Sequence, residues 1–178
     1  AYSVRGMQCA CAGFYGVGRG ELEKRQLEPA LAQFGRSLDL AESTGWEAFT
    51  NMIRGSVAVV EFEQGAEEAI AKLRVALSNA KAYDDNFTAA SMAQRLAAAL
   101  LKLGQLDEVQ PLLESAIDYY REREMRPFLV SAIEMLATLH EKSGRPDKAR
   151  EARLEAATLR SGIHTLPPDQ ATPALAQA

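Results

Sequence analysis

Residues 97–116, AAALLKLGQLDEVQPLLESA, and residues 137–156, ATLHEKSGRPDKAREARLEA, decide the fold. Each opens on a small residue (Ala97, Ala137) and reaches Gly seven places on (Gly104, Gly144). Five further stands Val109 or Ala149 at the head of a second apolar-periodic run, and seven beyond that Ala116 or Ala156. Upstream, Ala58, Gly65, Ala69 and Ala76 give the same series with a turn one residue shorter. Ala69, Val109 and Ala149 are 40 apart, and Ala30 extends that column by 39. A period of this size is the mark of stacked helical hairpins, each too small to bury its apolar face alone.

The pattern predicts an all-α fold of about four antiparallel hairpins stacked as a right-handed superhelix, over residues 1–164. The hairpins are placed at about 2–45, 46–84, 86–124 and 126–162. A helices are expected at 46–63, 86–103 and 127–142, and B helices at 66–82, 106–123 and 146–161. Gly104 and Gly144 sit where a left-handed residue ends an A helix, and Pro146 suits the first turn of the helix that follows. The small columns let neighbouring helices approach, with Val57, Leu96, Leu136, Leu73 and Leu113 filling the space between. Arg153 takes the corresponding place in the last B helix, as a solvent-facing helix at the end of an array would have it.

The first hairpin is irregular: residues 2–17 as helix A, about 21–43 as helix B, and Gly13, Gly16, Gly18 and Gly20 as a loose turn between them. Pro29 would then lie inside helix B, so that helix either starts near residue 27 or kinks. From Thr165 to residue 178, Pro167, Pro168 and Pro173 among Ala and Gln predict a mobile tail with too little apolar surface to pack.

Composition narrows the function. Hydrophobic residues are 47% of the 178 and aromatics 7%, with strong helix formers dominant. The formal net charge of −4 argues against a nucleic-acid surface. Basic residues between Arg145 and Arg153 alternate with Asp147 and Glu151, which is a solvated helix face. No apolar run is long enough to span a membrane. Two cysteines, Cys9 and Cys11, lie about 200° apart on a helix and neither bridge nor chelate together; with only His140 and His164 besides, no metal is expected. Reduced, packed thiols and no visible leader point to the cytoplasm, and the absent initiator Met to a piece of a larger protein.

Chemistry finds little support. The glycines from 13 to 20 lack the Gly-Lys-Ser/Thr of a phosphate loop and the spacing of a dinucleotide loop. Glu67 with Glu68, Asp84 with Asp85, and Asp107 with Glu108 lie at B-helix starts or in turns, where carboxylates complement the helix dipole. His140 is expected to be packed or capping. Tyr83, Tyr119, Tyr120 and Trp46 are expected to pack between helices. No cofactor and no catalytic residue is expected.

The columns of small residue, Gly, Ala or Val, and Ala (Ala97, Gly104, Val109, Ala116; Ala137, Gly144, Ala149, Ala156) resemble the tetratricopeptide repeat signature over about residues 46–161. The period near 40 is similar to a longer variant found in bacterial maltose-type transcriptional activators and multidomain nucleotide cyclases. The family's Pro after helix B is missing, and Arg54, Ala93 and Ile133 stand where its helix A carries an aromatic. The resemblance implies a concave A-helix face lined by Met52, Gly55, Val59 and Phe62, then Ser91, Gln94, Ala98 and Leu101, then Ser131, Glu134, Thr138 and Glu141. It implies a non-catalytic module of a larger signalling protein that binds a protein or peptide with an apolar anchor and some positive charge. Two alternatives remain open: a small-molecule pocket using Met52, Val59, Phe62 and Gln94 in a transcriptional regulator, or self-association into a homodimer.

Overall fold

The computed structural model describes residues 3–163; the expected tail from 165, and His164, lie outside the described residues. Eight α-helices follow one another with no strand among the described residues: α1 Val4–Glu23, α2 Leu27–Ser43, α3 Glu47–Glu63, α4 Ala69–Ala82, α5 Asn86–Leu103, α6 Val109–Glu122, α7 Arg126–Lys142 and α8 Pro146–Ile163. The all-α expectation of consecutive hairpins stands. The chain divides into two compact units. Unit 1, Ala1–Leu112, holds α1 to α5 and the first turn of α6; unit 2, Leu113–Ala178, holds the rest of α6 with α7 and α8. In unit 1 each helix packs on the next, and α3 also touches α1 and α5; in unit 2 α7 packs on α8.

Every turn between described helices carries one residue at positive φ. Gly65, Gly104 and Gly144 stand between A and B helices, Gly45 between α2 and α3. At three turns the residue is not glycine: Arg25 (φ 59°), Asp84 (φ 54°) and Glu124 (φ 53°). A left-handed residue lets the last carbonyls of one helix be capped while the chain reverses. Gly104 shows this, its N–H meeting the Leu101 carbonyl at 3.3 Å while Gln105 N–H reaches Leu100.

The first hairpin is more regular than its sequence suggests. Helix α1 runs through Gly13, Gly16, Gly18 and Gly20 to Glu23, so the expected loose turn is helix instead, and the reversal falls at Arg25. Arg25 lies 40 before Gly65, in the turn-glycine column. Gly18, seven residues earlier, occupies the Ala58, Ala97 and Ala137 column, and Ser37 continues Ala76, Ala116 and Ala156. Both are buried. A Cβ on Gly18 would stand 2.8 Å from the Phe34 ring, so this position admits nothing larger than hydrogen without moving that ring. Helix α2 begins at Leu27, which leaves Pro29 in its first turn, where no N–H is needed.

The core of unit 1 is built on those columns. Cys11, Ala30, Phe34, Ala41, Ile53 and Val60 form one fully buried cluster where α1, α2 and α3 meet. Ser37 is satisfied inside it: its hydroxyl donates to the Cys11 carbonyl at 2.8 Å, and the Cys11 thiol donates to the Ser37 carbonyl at 3.1 Å. Cys9, expected to pack, is exposed instead, because it turns away from the α1–α2 contact. In unit 2, Tyr120 of α6 is buried against Phe128 of α7, ring centroids 5.3 Å apart.

Candidate binding faces

Two faces of unit 1 offer recesses, and helix α3 contributes to both. On the first, α3 lies beside α5. Met52 and Val59, seven residues apart, recur on one line of α3 about 10 Å apart. Around Met52, with Phe49 and Phe87, lies a recess of about 220 Å³. Trp46 opens it, its ring stacked on Phe49 at 4.4 Å and 17°. Around Val59, with Phe62, Ala98 and Lys102, lies a second of about 80 Å³. Lys102 sits 5.9 Å over the Phe62 ring and is ion-paired with Glu63, which Arg25 also reaches at 3.3 Å.

Of the twelve residues expected on the A-helix face, eight belong to unit 1 and four to unit 2. Met52, Val59, Phe62, Ser91 and Ala98 are half-buried and reachable. Gly55, Gln94 and Leu101 are buried in the helix packing, Gly55 facing Met92 and Ala76. In unit 2, Ser131 and Thr138 are half-buried, and the Thr138 hydroxyl donates to the Glu134 carbonyl at 3.0 Å. Glu134 and Glu141 are exposed, and each is paired with a cation of α8: Glu134 with Arg160, Glu141 with Arg153 at 2.6 Å. The two carboxylates of this stretch are thus neutralised within their own hairpin. Exposed pairs of this kind are worth about 0–1 kcal/mol, so a ligand can exchange them cheaply.

The second face was not anticipated. Between α2, α3 and α4 lies a cleft of about 470 Å³, with Leu38, Val57, Val75 and Ala76 as its apolar walls. At one end Asn51 Nδ2 donates to the Ala76 carbonyl at 2.9 Å, and Asn79 Nδ2 donates to Asn51 Oδ1 at 3.3 Å. Arg54 stands one turn along α3, tied to Glu42 of α2 at 2.7 Å. At the other end Lys72 bonds both Glu61 oxygens at 2.8 and 2.9 Å, with Glu68 at 3.7 Å. The Glu61 hydrogen bond holds the Lys72 ammonium above the ordinary lysine range. The missed signal was polar residues in columns that are core in α5. Asn51, Arg54 and Glu61 align with Ala90, Ala93 and Leu100, all buried.

Reactive groups are not gathered at either face. No group of three or more His, Cys, Asp or Glu side chains suited to a metal occurs among the described residues. His140 is buried in unit 2 with its Nδ1 lacking a hydrogen-bond partner. Burial, then the nearby Arg145 and Lys148, push its pKa down against the opposing pull of Glu114 and Glu151. Among the described residues no helix is long and apolar enough to cross a membrane.

No family model matches the chain, and no curated protein does. Among solved structures it is similar to BtubC (BKLC) from P. vanneervenii, at 15% identity and a TM-score of 0.69, covering 94% of this chain and 70% of that one. At that identity the likeness is one of fold: an all-helical, repeat-like architecture.

Proposed function

We propose that this chain is a non-catalytic interaction module of tetratricopeptide type, and that the α3–α5 face of unit 1 grips a segment of a partner protein by two apolar side chains. One observation carries the reading: Met52 and Val59, each lining one recess, lie about 10 Å apart on one helix line. That distance matches apolar residues two turns apart on a helix, or three apart on an extended strand. Aromatic walls at the first recess suit a large aliphatic or aromatic anchor. Lys102 and Glu63 beside the second recess can exchange their pairing for polar groups of the partner. The resemblance to tetratricopeptide arrays of cyclases and transcriptional activators adds a larger bacterial regulatory protein as the setting, and the cytoplasm as the compartment.

The test is selection of peptides from a random display library on the folded chain. Selected sequences should share two apolar residues at one of those spacings and lose at least tenfold in affinity to Val59→Lys and to Ala98→Glu. Peptides that bind those variants as tightly as the parent would rule this face out.

A further inference from the structure

We infer that the α2–α3–α4 cleft is a binding site for a short zwitterionic peptide of about three residues, free at both termini, with an apolar side chain. The inference is independent of the α3–α5 reading, because Arg54 and Glu61 lie about 180–200° around α3 from Met52.

The first ground is a reversal of pattern. Columns 39 or 40 apart place Asn51, Arg54 and Glu61 with Ala90, Ala93 and Leu100, and with Val130, Ile133 and His140. All six counterparts are buried, and five are aliphatic. Outward the reversal runs the other way: Val75, 59% exposed, aligns with Ser115 and Glu155. Helix α3 therefore carries polar groups where α5 and α7 carry core, and α4 an apolar group where α6 and α8 carry polar surface; in α1 the same columns hold Cys11, Phe14 and Glu21, so of the three only the Glu61 carboxylate recurs there. Such local departures from a fold's own pattern are characteristic of binding sites.

The second ground is the order of the groups. Along α3 the cleft runs from the Asn51 and Asn79 carboxamides and the Arg54 guanidinium, past Val57 and Val75, to the Glu61 and Glu68 carboxylates. Arg54 and Glu61 are about 10 Å apart along the axis, and three extended residues span the same length. A terminal carboxylate at Arg54 and a terminal ammonium at Glu61 and Glu68 put each charge on its opposite, with a side chain between the valines. The space of about 470 Å³ admits a tripeptide and is short for a docked helix. The in-chain partners, Glu42 and Lys72, are exposed enough to yield at little cost.

The probe is the tripeptide Ala-Leu-Ala with free termini, beside its N-acetyl and its C-amide forms, titrated into the isotopically labelled full chain. The free peptide should saturate, shifting the Asn51 and Asn79 side-chain amides and the Val57 and Val75 methyls. Each blocked form should bind about fivefold more weakly, the worth of one exposed ion pair. Arg54→Gln should erase the penalty of the C-amide only, and Glu61→Gln that of the N-acetyl only. Arg54 is exposed and Glu61 half-buried, and an unchanged melting temperature verifies the folding of both variants. Absence of saturation up to the solubility limit, equal binding of blocked and free peptides, or shifts at Met52 and Val59 instead would each overturn the assignment.

Discussion

Gly55 of α3 faces Met92 of α5 so closely that a Cβ on Gly55 would meet the Met92 sulfur, with Met92 Cε at 3.1 Å and Ala76 Cβ at 3.2 Å. Three helices converge on the one missing side chain. Met92 is fully buried and has little room to withdraw. A helix-interior Gly→Ala change gains up to about 1 kcal/mol from propensity, whereas overpacking costs about 1–3. Gly55→Ala is therefore expected to destabilise by about 1 kcal/mol in urea melts. Combined with Met92→Ala most of its own cost should vanish, leaving only the close approach to Ala76.

The glycines of α1 behave in the opposite sense. Nothing lies within 4 Å of a Cβ at Gly13, Gly16 or Gly20. Each replacement by Ala should stabilise by about 0.5–1 kcal/mol, because helix-interior glycine carries an entropic cost with no packing return. Gly18→Ala should destabilise, as its Cβ meets Phe34. Equilibrium unfolding of the four variants side by side checks the contrast.

The same series shows how much of the fold was legible. Helices α3 to α8 fall where the columns of Ala and Gly put them, because the size of those side chains is itself the constraint. The first hairpin escaped because Arg25 occupies the turn-glycine column and Gly18 the alanine column, so that glycine marked helix and arginine marked the turn. On the A-helix face, Met52 and Val59 remained reachable, while Gly55 and Leu101 went into packing. Their spacing gives the helix side but not the few tens of degrees by which a neighbour covers it. The α2–α3–α4 cleft was written in Asn51, Arg54 and Glu61 all along, but only column-by-column comparison with buried Ala90, Ala93 and Leu100 exposes it.

Asp84 and Glu124 hold left-handed conformations at turns whose counterpart between α2 and α3 is Gly45. The left-handed region costs an ordinary residue about 1–2 kcal/mol, and glycine returns part of that through its freer unfolded chain. Asp84→Gly and Glu124→Gly should each stabilise by about 0.5–1 kcal/mol, seen as a raised urea midpoint. A lowered midpoint would mean that the side chains contribute more than the backbone strain costs.

His140 makes the stability of unit 2 sensitive to acid. Burial, with Arg145 and Lys148, lowers its folded pKa below the ordinary value of 6.5. The unfolded chain then binds more protons, so the contribution is intact above about pH 6.5 and is lost as pH falls towards the lowered folded value. His140→Leu, the residue its column has at Leu100, should flatten the dependence of stability on pH between 7 and 5. An unchanged slope would place the sensitivity on carboxylates instead.

The most direct measurement of the binding account is a methyl NMR titration of the full chain with a library-selected peptide. Saturable shifts should centre on Met52, Val59 and Ala98, and Val59→Lys should abolish them without altering the melting temperature. Shifts centred elsewhere, or binding unimpaired in Val59→Lys, would contradict the assignment of the α3–α5 face as the docking site.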